Sequence, residues 1–333
     1  MKHLSFFLII LLFFAGLSPV ARAGTQEMEN LGRQAVAAAQ EALAPHPIEA
    51  CLTNVGWANL ENQPCHLLFD VFSGQAGVSV GRGSLLPVHG AWTDAPWAAF
   101  ITRPSPEDLI LVLVRITAQG PVRFGPLNVR VVTGTDFTPF EQVLGKEAFA
   151  LVTLANGWAD KVPPRVLAGS LFHDHLCCGV FTGYFTTQYI LDHFPLTGTQ
   201  DYIYIGIPAW CQDDLIMTGL NLTPGKHGYV TMTYPWNRPW KTDKDTYENL
   251  GGIIIRRDSR AGGGQAWVLA FDWQAKAFRQ FAGLEESAPL DWKHQPWLHV
   301  VYNRFFTARI NSSGDFVSVV RTRKLETAKK LRT

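Results

Sequence analysis

The residues best suited to chemistry fall in one short run, Phe172-His173-Asp174-His175-Leu176-Cys177-Cys178-Gly179. His173, His175 and Cys177 occupy alternate positions, and in an extended stretch alternate side chains point to one side. Imidazole nitrogen and thiolate sulfur are the donors that zinc and other borderline metals favour. A helix is predicted to start at Cys178. That sets Cys177 near a helix N-terminus, where the dipole favours a thiolate. Cys211 precedes a second, short helix in Pro208-Ala209-Trp210-Cys211-Gln212-Asp213-Asp214. Two loop-to-helix junctions after neighbouring elements would bring Cys211 beside the first cluster. The expected ligand set is therefore His173, His175, Cys177 and Cys211, with zinc as the expected ion and another transition metal as the alternative. Two other readings use the same residues. One is a disulfide from Cys211 to Cys177 or Cys178. The other is a cysteine nucleophile with a histidine base.

The run His173-Asp174-His175-Leu176-Cys177-Cys178-Gly179 resembles the His-Gly-His-x-Cys-Pro-Gly motif of the formylmethanofuran dehydrogenase FmdE family. A second motif of that family has a cysteine, an aspartate three residues on, a Thr-Gly and a Gly-Lys. Cys211, Asp214, Thr218-Gly219 and Gly225-Lys226 follow that order. The resemblance spans residues 149–234 and implies an α+β domain with a metal-binding site. Residue by residue it assigns His173, His175 and Cys177 to the first motif and Cys211 to the second. The departures are Cys178 in place of the proline, Asp174 in place of a glycine, and a longer loop to Gly225. The cysteine-rich finger that some members append is absent, since no cysteine follows Cys211. The chain therefore reads as an exported relative that keeps the metal-binding domain.

Two functions fit such a site. The first is non-enzymatic metal binding or relay. The second is Lewis-acid catalysis on a small molecule, with Asp174 or Asp214 as the acid–base group. A third reading is a structural domain closed by a disulfide. His294 and His299 are candidates to complete the metal shell, though ordinary histidines are the expectation. A phosphate loop at Gly219 to His227 is excluded by its glycine spacing and by His227, which stands where Ser or Thr is needed. Gly-x-Ser-x-Gly, Cys-x-x-Cys-His and His-Glu-x-x-His do not occur.

The elements that must hold these residues read as α+β, with mixed or antiparallel sheets and packed helices. Helices are predicted over 24–44, 140–155, 178–193 and 213–219. Strands are predicted over 98–101, 109–116, 126–132, 202–207, 229–234, 252–257 and 266–271. Thr53–Ala58 resembles Leu154–Ala159, and Glu107–Ile110 resembles Asp213–Ile216. Both matches are compatible with two degenerate copies of one unit, the first without metal ligands. The expected organisation is a signal peptide at 1–23, an N-terminal α+β region at 24–135, the FmdE-like domain at 136–310 and a basic tail at 311–333.

Leu4 to Leu17 is apolar and Ala21-Arg22-Ala23 has the spacing of a signal-peptidase site, so cleavage is expected after Ala23, giving a periplasmic or secreted protein. The run is too short to span a bilayer, and no stable insertion is expected after cleavage. Charged residues are 17% of the 333, with 29 basic against 28 acidic. That balance excludes a disordered chain and a dedicated nucleic-acid binder. The expected partners are a metal ion and a small ligand, and a homodimer is left open. Cys51 and Cys65 are spaced for a disulfide loop. Arg321 to Arg332 is rich in Lys and Arg; a solvated, frayed end is the expected reading, and contact with anionic lipid or a partner the alternative.

Overall fold

A computed structural model describes residues 19–232, 250–258, 260 and 262–326, with side chains from Gly24 onward. The apolar run Leu4–Leu17, the Tyr234–Trp240 segment and the basic residues from Lys329 onward lie outside the described residues. The chain forms two compact units, 1–128 and 129–333. Both are α+β. Among the described residues, no helix is long and apolar enough to cross a membrane.

In the first unit, helix α1 (Pro19–Leu43) and helix α2 (Leu68–Ala76) pack on a five-stranded sheet. Its strands are β1 (Ala50–Thr53), β4 (Leu85–Pro87), β5 (Trp97–Thr102), β6 (Ile110–Thr117) and β7 (Gly120–Asn128), in the order β4-β1-β5-β6-β7. β1 runs parallel to β4, and all other pairs are antiparallel. A two-stranded ribbon, β2 (Asn59–Leu60) and β3 (Gln63–Pro64), precedes α2. The predicted strand at 126–132 is displaced toward the N-terminus, because the Thr117 to Gly120 turn starts β7 early.

The second unit opens with α3 (Thr138–Leu144), α4 (Ala148–Ala159) and α5 (Pro164–Phe172). The single helix predicted over 140–155 is thus two, broken by a tight 3₁₀ turn that begins at Gly145, whose φ of 68° is left-handed. Then come α6 (Cys178–His193), β8 (Gln200–Gly206), α7 (Cys211–Gly219), β9 (Tyr229–Thr231), β10 (Leu250–Asp258) and β11 (Gly264–Phe271). Helices α8 (Ala275–Phe281), α9 (Trp297–Thr307) and α10 (Ser313–Phe316) follow, and β12 (Val317–Leu325) ends the unit. The basic tail is therefore not a frayed end over this stretch. Residues 317–325 pair along β11, and the Arg and Lys side chains lie on an edge strand where they reach water.

The sheet of the second unit has the order β9-β8-β10-β11-β12, with β8 parallel to β9 and the rest antiparallel. Strand order and directions repeat those of the first unit. The turns repeat too. Gly83 N–H bonds Val80 O at 2.9 Å and Ser84 N–H bonds Ser79 O at 3.0 Å; His227 N–H bonds Pro224 O at 3.0 Å and Gly228 N–H bonds Thr223 O at 3.2 Å. Gly83 and His227 are both left-handed, with φ of 66° and 58°. Glycines seat the second helix on the first in each copy. A Cβ on Gly32 would meet the Leu68 side chain at 2.7 Å, and one on Gly183 would meet Gln212 O at 2.3 Å. The short matches singled out in the sequence are not this repeat: Thr53–Ala58 leaves a strand, whereas Leu154–Ala159 lies in α4; Glu107–Ile110 enters a strand, whereas Asp213–Ile216 lies in α7.

Cys51 and Cys65 are buried free thiols rather than a disulfide. The Cys51 thiol faces Leu52 O and the Cys65 thiol faces Gln63 O, so each sulfur has its own backbone acceptor. Burial pushes both thiols up, Cys65 to about 11, which keeps them protonated and unreactive.

Candidate metal centre

α5 ends at Phe172 and α6 starts at Cys178, and the five residues between them carry three of the expected donors. This segment is not the extended stretch that the alternation suggested. His173 N–H still bonds Gly169 O in the last turn of α5, and Asp174 has a left-handed φ of 69°. The chain therefore turns sharply between the two histidines, and their rings come to 4.3 Å between centroids. The turn is fastened at Leu176. Its N–H donates to Thr153 Oγ1 at 3.2 Å, and its carbonyl accepts from Asn303 Nδ2 at 3.0 Å. Leu176 itself is fully buried.

Cys177 is the N-cap of α6 and Cys211 the first residue of α7. Both helix N-termini thus aim partial positive charge at sulfur. Close approach needs Gly179, where a Cβ would lie 2.8 Å from Cys211 Cβ and 3.4 Å from Cys177 Sγ. Asp213 fixes the start of α7. Its carboxylate accepts from Trp210 N–H at 3.0 Å and from Tyr229 Oη at 3.0 Å. Burial lifts its pKa to about 6 against those bonds.

The structure brings His173, His175, Cys177 and Cys211 together, with one donor atom from each lying within 4.8 Å of the others. His173 Nδ1 sits 2.6 Å from Asp214 Oδ2, and His175 Nδ1 sits 2.6 Å from Asp174 Oδ1. Asp174 and Asp214, considered as acid–base groups from sequence, are thus the partners that orient the two imidazoles. His173 Nε2 is buried and has no hydrogen-bond partner. A neutral imidazole that gives Nδ1–H to a carboxylate presents its Nε2 lone pair to an ion.

The electrostatics couple the four donors. The Cys177 thiol beside Cys211, and then the two histidines, hold Cys211 far below the ordinary thiol range, as a thiolate, against the effect of burial. Cys177 is pushed up by that neighbouring thiolate and by burial. Burial opposes the charge on His173, but Asp214 and Cys211 outweigh it and raise the pKa to about 9. His175 is raised in the same way by Asp174 and Cys211.

Cys178 does not join the group. Its Sγ turns the other way and lies 3.3 Å from His299 Nδ1. Burial holds the His299 pKa down to about 4, so the ring is neutral. His299 and His175 both pack edge-on against Phe149, with centroids 5.2 and 5.1 Å away. His294 is elsewhere, paired with Asp291 at 2.8 Å. Lys226 bonds Asn221 Oδ1 and is exposed. Nothing in the sequence points to Thr153, Asn303 or Phe149, since none has a donor type or spacing that marks a site.

In the first unit the corresponding ground is filled. Four residues before Gly32 stands Met28, where Gly179 stands before Gly183. Leu67 precedes Leu68 where Cys211 precedes Gln212. Met28 is buried and carries no donor suited to this site.

Two imidazoles and two sulfurs, the imidazoles oriented by two carboxylates, form on this α+β scaffold a His/Cys group that could hold a metal ion. The model of the family described as FmdE, molybdenum formylmethanofuran dehydrogenase operon, matches residues 172–286, so the second unit carries an FmdE-like domain. No curated protein gives a significant match to the chain.

Proposed function

We propose that this is an exported protein that binds a metal ion, zinc, through His173, His175, Cys177 and Cys211, and that it works by holding or relaying the ion rather than by catalysis. The observation that carries this reading is the convergence of His173, His175, Cys177 and Cys211, whose donor atoms lie within 4.8 Å of one another. Donors spread over 4.8 Å are slightly wider than the separation of about 3.5 Å in a tetrahedral zinc site, a closure within reach of side-chain rotation. Two sulfurs and two imidazoles complete four-coordination. That pattern marks closed sites, whereas catalytic zinc keeps a position open. Cys177 and Cys211 are free cysteines, not bonded to each other, which disfavours a disulfide-closed site.

Elemental analysis of purified protein tests the reading. Wild type should carry one zinc, and Cys177→Ser and Cys211→Ser should each lose it. Equal, negligible metal in all three under reducing, metal-replete conditions would overturn it.

A further inference from the structure

The outer face of the second sheet differs from its counterpart in the first unit. The strand register aligns two rows across it. One row runs Val230, Ile205, Ile253, Val268, Arg321. The other runs Ile203, Ile255, Ala266, Arg323. Every one of these residues is at least partly open to solvent, and Val230 is 45% exposed. The side chains between them, Tyr204, Ile254 and Trp267, point the other way into the core. In the first unit the same two rows are Leu52, Ala99, Leu113 and Ala50, Ile101, Leu111, all fully buried. They end on Phe124 and Leu127 rather than on arginines.

The open copy is thus the one that carries cationic ends. Among the described residues of the adjoining row, the acid Asp201 is held by Arg257 through two bonds of 3.0 and 2.8 Å. The two rows themselves offer no hydrogen-bonding side chain apart from the arginines. At strand spacings of about 4.8 Å the apolar part covers about 300 Å². A stable protein–protein contact needs about 800 Å² per partner, and a second copy would bring two more arginines to the same seam. A flat aliphatic patch edged by positive charge suits an anionic, laterally continuous apolar surface instead.

We propose that the outer face of the second sheet docks on an anionic lipid surface, with Ile253 and its neighbours at the acyl boundary and Arg321 and Arg323 on phosphate groups. The contact is peripheral and weakens with salt.

Co-sedimentation of the full chain with vesicles tests this. Vesicles of equal parts phosphatidylglycerol and phosphatidylcholine should bind it, and pure phosphatidylcholine should bind it far less. Arg321→Gln with Arg323→Gln should weaken binding by roughly tenfold or more, since each arginine at an anionic surface contributes about a fivefold factor. Ile253→Asp should weaken it as well, with far-UV circular dichroism and metal content unchanged in both variants. The proposal is overturned by absence of binding to anionic vesicles, or by binding that neither variant lowers. A dimer that the variants abolish, without vesicle binding, would overturn it too and assign the face to a second copy.

Discussion

At the scale of single residues, the site is a set of four donors whose protons are already arranged by their neighbours. Asp214 takes Nδ1 of His173 at 2.6 Å and so leaves Nε2 to face the sulfurs. Removing that carboxylate should free the ring without touching a donor. Asp214→Ala is therefore expected to weaken zinc binding by about 10- to 100-fold, read by competition with a chromophoric chelator. Proton linkage gives a second expectation. His173 is raised to about 9 and Cys177 is held as a thiol, so at neutral pH both carry a proton that a bound ion must displace. Zinc uptake should release those protons, and affinity should rise with pH through the His173 value of about 9. Titration calorimetry in buffers of different ionisation heat would reveal it. A binding heat independent of the buffer would show that the donors are already deprotonated.

At the scale of elements, the turn between α5 and α6 hangs on Thr153 of α4 and Asn303 of α9, and buried polar groups fix those two helices in turn. Asn156 of α4 is the clearest case. Its Nδ2 donates to Val129 O and Val152 O, each at 2.8 Å, and its Oδ1 accepts from Val131 N–H at 3.1 Å. Arg304 of α9 adds bonds to Asn156 Oδ1 at 3.1 Å and to Asp160 Oδ2 at 2.7 Å. Asn156→Ala leaves several buried groups unpaired and should cost about 3 kcal/mol, seen as a lower denaturant midpoint with little change in slope. Much of this level is legible in the sequence. The Cys178–His193 helix agrees with its prediction because an unbroken helical run stops before Pro195. α2 and α5 are not legible because each is only nine residues long, and α9 because it is buried nearly all round and lacks a clear polar face. The convergence of His173, His175 and Cys177 follows from the sequence only through a wrong geometry: alternation suggests a strand, whereas α5 persists to Phe172 and a left-handed Asp174 makes the bend. The repeat is hinted at by short matches that prove unrelated to it, since its evidence lies in strand order and in hydrogen-bonded turns that residue identity scarcely records.

At the scale of the whole molecule, two copies of one topology have diverged in what they expose. The first has Met28 and Leu67 on the ground that Gly179 and Cys211 occupy in the second. Purified protein should therefore bind one zinc per chain and not two. Mass spectrometry under non-denaturing conditions would show this, and a second ion that survives Cys211→Ser would place a site elsewhere. The resemblance to FmdE is legible because two separated motifs agree in order. The match across residues 172–286 starts later than the 149–234 span of that resemblance and reaches further, taking in β10 and β11, whose sequences carry no motif.

The late position of β12 bears on how the chain reaches this state. In the first unit β4 to β7 follow one another with no helix between them, and the sheet is finished at Asn128. In the second, β11 ends at Phe271 and its partner β12 begins only at Val317, with three helices between. During synthesis the first unit can close while the second still waits for its last strand. Until Val317 to Leu325 emerges, β11 presents an open edge, a template for wrong pairing. Chains cut short before Val317 should aggregate, whereas the four donors, all complete by Cys211, would already have been made.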